Sequence, residues 1–203
     1  MSGLRLMLVR HGQTDSNLKG ALDSALPGPP LTDEGFAQAA ALGERLADQP
    51  VTGVYASGAL RARQTAQPVA DAHRLDVAVL DGTYEVQAGD LEMRTDPVAI
   101  GEYMQVVRQW VAGDMTVRMP GAQNGHEVRD RFEAAVQGVR DTHEDGLVVL
   151  VSHGGIIRLA ANWLVPEMAE RVADQGLLVN TGHVLLEADG DGWRCLEWTG
   201  LVL

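Results

Sequence analysis

The chain has 203 residues, 45% of them hydrophobic and 22% charged, with a formal net charge of -12. That length allows one α/β domain with a full core. The acidic balance argues against a nucleic-acid or anionic-membrane partner, both of which select basic surfaces, but leaves room for a small anionic substrate in a local Arg/His pocket. Cys195 is the only cysteine, which excludes an internal disulfide and a cysteine-based metal site.

No basic segment with a long apolar follow-on opens the sequence, and no run approaches the ~18 apolar residues of a membrane helix. A soluble, cytoplasmic protein is therefore expected. Residues 4–9 are apolar but for Arg5 and read as a strand buried on both faces. Arg10, His11 and Gly12 follow at its C-terminal end, where open α/β sheets place their ligand sites. A short helical stretch runs from Gln13 to about Lys19, and its turn and a half could bring Asn17 back to the strand end. Taken alone, Asn17 reads better as a surface amide. Residues 25–30 form a Pro/Gly-rich extended loop. Thr32 is a plausible N-cap, with Asp33 and Glu34 in the first turn where the helix dipole favours acids. Apolar and small residues keep helical spacing from there to Ala47.

Val51 to Ala56 is a short strand, and Ser57 is expected to cap the helix that carries Arg61, Arg63, Gln64 and Thr65. An Arg at a helix start opposes the dipole unless an anion is near. Arg63 reads as solvated. Pro68 should kink or break this helix. A third strand spans 75–80, and Glu85 then falls in a loop near the same sheet edge. Asp96-Pro97 reads as an N-cap and first helical residue of a helix running to about Val111. A loop at 119–125 precedes a further helix through Val128, Phe132, Ala135, Val136 and Val139. The run Leu147–Val151 is a second buried strand, ending in Ser152-His153-Gly154-Gly155 just as the first ends in Arg-His-Gly. A helix follows Gly155. Segments 183–188 and 193–199 read as strands that turn at 189–192. No linker, low-complexity stretch or long repeat appears, so residues 1–203 are read as one domain with an insertion near 86–125.

One lone His is more often structural than catalytic. Two strands ending alike in His-Gly point to a shared site if the strands are parallel neighbours, and each Gly would let backbone approach a ligand. Arg10, His11, Asn17, Arg61, Glu85 and His153 all fall at or just past strand ends. Two guanidinium forks match phosphate oxygens. Two imidazoles can serve as nucleophile, acid, base or donor, and one carboxyl can protonate an alcohol leaving group. The set suits phosphoryl transfer through a covalent histidine intermediate. A metal site on His11 and His153 is the weaker reading, because Arg10 would repel a cation and no further cluster has ligand spacing. The glycine-rich nucleotide motifs are absent.

These motifs resemble those of the histidine phosphatase superfamily, also called the phosphoglycerate mutase-like family. Arg10-His11-Gly12 with Asn17, Leu31-Thr32-Asp33-Glu34-Gly35 with Gln38-Ala39, Ser57 with the run Arg61–Ala66, Glu85 with Gly89, and Val151–Gly155 follow the family's order over most of the chain. The resemblance implies a three-layer α/β/α sandwich with a mainly parallel sheet. It implies His11 as the phosphorylated nucleophile and Glu85 as acid, then base. Arg10, Arg61 and His153 would bind the phosphoryl group and stabilise its charge, with Asn17 and Gly154 also at the phosphate. No metal or other cofactor is implied, and the partner would be a small phosphorylated metabolite. The oligomeric state is left open, with a homodimer as one option.

Departures bear on the choice of reaction. The family's Gly-x-Trp-Glu-Gly is here Gly89-Asp90-Leu91-Glu92-Met93, and its Gly-Glu-Ser is Gly125-His126-Glu127. His126 either touches substrate or begins a helix, the latter being the better reading; His73, His143 and His183 read as structural or surface residues. The mutase branch has Arg and Tyr after the acid, where this chain has Val86-Gln87-Ala88. It also has an Arg-Arg pair in the insertion, where Arg118 stands between Val117 and Met119. A metal-independent phosphomonoesterase is therefore expected over a cofactor-dependent phosphoglycerate mutase, unless Arg94 or Arg118 supplies the missing cation. A non-catalytic phosphate-binding module is the third reading. The insertion is expected to cover the site and select the substrate.

Overall fold

A computed structural model describes residues 3–169 and 178–201. Its centre is the pair of apolar strands, β1 (Arg5–Arg10) and β4 (Leu147–Ser152). They lie parallel and adjacent, with Arg10 opposite Ser152. Every residue of β4 is buried, as a strand covered on both faces requires. Side chains alternate across β1: Leu6 and Leu8 enter one core, Met7 and Val9 the other.

The sheet order is β3-β2-β4-β1-β5-β6. Parallel pairing joins β2 (Val51–Ala56) to β4 and to the edge strand β3 (Val77–Val79). The other side is antiparallel: β5 (His183–Asp189) runs beside β1, and β6 (Gly192–Trp198) beside β5. One face is covered by α2 (Asp33–Leu46) and α3 (Leu60–His73) through Leu42, Leu46, Ala62, Ala66 and Val69. The other is covered by α4 (Pro97–Val111), α5 (Gly125–Thr142) and α6 (Gly154–Leu164) through Trp110, Phe132, Val136, Ile156 and Ile157. The architecture is thus α/β/α with a mainly parallel sheet. Thr32 and Asp96 cap their helices by accepting from Gly35 and Ala99 N–H. The five-residue α1 (Asp15–Lys19) has a capping box between Thr14 and Asn17.

Two expectations are corrected. Pro68 does not break the helix, since α3 continues through it to His73. The loss of one backbone hydrogen bond there is outweighed by packing, for Pro68 lies directly against Gly43 of α2. Ser57 does not cap α3, whose N-cap is Ala59 without a side-chain bond. Its hydroxyl lies 2.7 Å from His153 Nε2 instead.

Candidate active site

The parallel register sets His11 beside His153. Their rings meet edge to face with centroids 5.2 Å apart. Both are buried, as is Arg61. Arg61 sits in the first turn of α3, after the end of β2, and its Nε donates to His11 Nε2 over 3.2 Å. A guanidinium N–H can only donate, so Nε2 carries a lone pair and the His11 proton belongs on Nδ1. Nδ1 lies 2.7 Å from the Gly12 carbonyl, which accepts that proton's bond.

Burial, then Arg61 and to a lesser degree Arg10, push the His11 pKa down from 6.5 to about 3, against a raising effect of the Gly12 carbonyl. Burial, His11 and Arg61 likewise hold His153 well below its ordinary value. Both imidazoles are neutral at pH 7. Burial also lowers both guanidinium pKa values, opposed by Glu85 at Arg10 and by Asp23 and then Glu85 at Arg61; each keeps its charge. Asp23 Oδ1 lies 3.7 Å from Arg61 Nη1, and the Asp23 carbonyl accepts from Nη2 at 3.1 Å.

Arg10 Nε, Arg61 Nη1 and His153 Nδ1 are buried without a hydrogen-bond partner. Native proteins rarely leave such groups unpaired. Two of the three belong to fixed cations, which matches an anion as the missing partner. Among the described residues no group of three His, Cys, Asp or Glu side chains could hold a metal ion.

Glu85 closes the site at the start of α6. Its carboxylate accepts from Gly155 N–H (3.0 Å) and Ile156 N–H (2.7 Å), and from Val86 N–H (2.9 Å). The favourable end of the helix dipole thus holds it. A Cβ at Gly155 would stand 2.8 Å from Glu85 Oε1 and displace the carboxylate from the helix end. Gly154 opens α6 and lines the same pocket as Arg10, His11, Arg61 and Glu85. The bareness of Gly12 has another use than ligand approach: a Cβ there would meet the Gly35 carbonyl at 2.7 Å.

Asn17 lines the pocket, as expected, and is also the N3 residue of its capping box. Its Oδ1 accepts from Thr14 N–H and from Asn180 Nδ2. Asn180 reaches across from the segment before β5 and also donates to the His11 carbonyl at 2.9 Å. Sequence reading missed Asn180, Asp23 and the Ser57–His153 bond. It also missed Arg131 of α5, whose guanidinium stacks on Tyr84 at 3.8 Å and donates to the carbonyls of Gly82, Tyr84 and Glu85. No motif marks these residues; their partners are backbone atoms or distant side chains. His126 is exposed in the first turn of α5, outside the pocket lining. His73, His143 and His183 bond to Leu46, Tyr55 and Glu197, outside the pocket lining.

The pocket has a volume of about 560 Å³. Arg10, His11 and Arg61 line its floor, and another wall comes from α4, including Ile100, Tyr103, Met104, Val107 and Arg108; His153 lies beneath the lining. Neither Arg94 nor Arg118 lines it: Arg94 pairs with Asp96 and Arg118 with Glu127, both exposed. The cation that could stand in for the mutase arginines is therefore not supplied by either residue.

The family model of the histidine phosphatase superfamily (branch 1) matches residues 6–200. The chain belongs to the histidine phosphatase superfamily. A histidine phosphatase superfamily relative in Escherichia coli, a probable phosphoglycerate mutase, GpmB, is 32% identical over 174 residues, covering 83% of this chain and 79% of that protein. The PE-PGRS family protein PE_PGRS11 of Mycobacterium tuberculosis is 30% identical over 95% of this chain, which spans only 36% of that protein's length. Among solved structures, a mycobacterial glucosyl-3-phosphoglycerate phosphatase complexed with VO3 superposes with a TM-score of 0.81. It is 27% identical, with 96% of this chain and 98% of that one covered. No described helix is long and apolar enough to cross a membrane.

Proposed function

We propose that the protein is a metal-independent phosphomonoesterase acting on a small phosphorylated metabolite through a phosphohistidine intermediate. The observation that carries this is the His11 tautomer. Its proton faces the Gly12 carbonyl, so Nε2 carries a lone pair, which here accepts from Arg61 Nε and attacks once Arg61 turns to the phosphate, on a residue that lines the pocket with Glu85.

In the first step Nε2 attacks phosphorus as the ester P–O bond breaks. The bonding pair goes to the leaving oxygen, which takes a proton from Glu85, entering this step as the protonated carboxyl. The imidazole, now bearing phosphorus on Nε2 and hydrogen on Nδ1, is cationic and stabilised by the Gly12 carbonyl. In the second step Glu85 removes a proton from water as the water oxygen attacks phosphorus. The N–P pair returns to Nε2, and inorganic phosphate leaves. Arg10, Arg61, His153 and the Gly154 end of α6 stabilise the equatorial oxygens, and Asn17 touches the phosphate edge; positioning and electrostatics supply most of catalysis in such transfers. The phosphatase among the structural neighbours supports the hydrolytic choice. So do the residues after Glu85, where the mutase branch has Arg and Tyr, since losing a charge-assisted contact to a glycerate carboxylate costs about 1.5–3 kcal/mol; the surface pairing of Arg94 and Arg118 leaves Arg108 and Arg158 as the further cations in the lining.

His11→Ala is expected to abolish turnover, and brief exposure of the unaltered chain to labelled substrate to leave acid-labile phosphate on His11. Full activity in the variant ends this mechanism. Rapid interconversion of 2- and 3-phosphoglycerate, stimulated by bisphosphoglycerate and without phosphate release, would make it a mutase instead.

A further inference from the structure

We propose that the alcohol half of the substrate is apolar: the pocket beside His11 takes an alkyl or aryl phosphomonoester in preference to a sugar, glycerol or glycerate phosphate. This rests on the phosphatase reading above. A phosphoryl group on the Arg10, His11 and Arg61 floor leaves most of the roughly 560 Å³ to the rest of the molecule. Ile100, Met104, Val107 and Val111 stand along one face of α4 at helical spacing, and Leu22 and Leu159 add to the lining.

The serine and tyrosine hydroxyls in that space are already engaged. The Ser16 hydroxyl donates to Asp23, which also faces Arg61. The Ser24 hydroxyl donates to Glu92 and accepts from Ala88 N–H. The Tyr103 hydroxyl donates to the Val86 carbonyl at 3.2 Å. A polyol entering this space gives up water for a wall whose hydroxyls have partners, and each hydroxyl left unpaired there weakens its binding. An alkyl chain gains by the same burial. Arg108 and Arg158 are cations in the lining, so a carboxylate-bearing ester is the competitor that tests the proposal hardest.

The test uses the full chain and unactivated alkyl esters, whose P–O bonds are of similar intrinsic reactivity. From ethyl to hexyl phosphate, kcat/KM is expected to climb by up to about fourfold per methylene. Hexyl phosphate is expected to exceed glycerol 3-phosphate, 3-phosphoglycerate and glucose 6-phosphate at least tenfold. Val107→Asn is expected to flatten the dependence on chain length. No dependence on chain length, or a preference for any of the three polar esters, overturns the proposal. If no ester releases phosphate, 4-nitrophenyl phosphate included, the phosphatase reading has failed. The ranking is then read from calorimetric affinities of hexylphosphonate and 3,4-dihydroxybutylphosphonate. Tighter hexylphosphonate sustains the apolar site, and equal or reversed affinities overturn it.

Discussion

Burial sets the charge of the two site histidines, and with it the pH range over which the fold holds. His11 titrates near 3 in the native chain and near 6.5 when unfolded. Between those values the unfolded chain binds a proton that the native chain refuses. The stability this group confers is therefore complete above pH 6.5 and is lost as pH falls toward 3, by about 1.4 kcal/mol per pH unit. His153 acts in the same direction. Urea unfolding at pH 7.5, 6 and 5 should show this decline, and His11→Gln should reduce its slope by one proton; equal slopes would contradict the neutral, buried assignment. At this scale the sequence was informative where chemistry and strand end coincide: Arg10, His11, Arg61, Glu85 and His153 all converge. It was silent on Ser57 and Asn180, because a hydroxyl or amide that bonds to a partner far along the chain leaves no local pattern.

The helices were readable from their apolar spacing and caps, with Thr32 and Asp96 doing what their side chains favour. A break at Pro68 does not occur, because the local rule took no account of the neighbouring helix. Arg131 was invisible because α5 offers it no local partner; it joins α5 to the loop that carries Glu85. That makes it a positioning residue for the acid. Arg131→Met is expected to lower kcat for an alkyl phosphate by roughly 10–100-fold, about 1.4–2.7 kcal/mol of barrier. The loss for 4-nitrophenyl phosphate, whose leaving group needs no proton, should be much smaller. Lysine should rescue poorly, since it lacks the planar fork. Equal losses on both esters would assign Arg131 to fold support alone.

Across the whole molecule, α4 and the loops around it stand over a floor made by the strand ends and by α3 and α6. Replacing residues 86–125 by the matching segment of the mycobacterial phosphatase should change which esters are preferred while phosphate still labels His11. An unchanged profile would reduce the segment to a cap. The two buried strands were legible from their apolar runs, whereas their pairing, and the side on which β5 joins β1, were not, since periodicity carries no pairing information. That central place of β1 has a price during synthesis. The strand is made before its neighbours β4 and β5, which begin only at Leu147 and His183. At the ~5–20 residues per second of translation, the Leu4–Val9 segment waits several seconds or more for a partner, unpaired and apolar on both faces. Whatever guards a nascent chain against clumping has most to do while this strand waits, and the nucleophile stays unassembled until its distant partners have emerged.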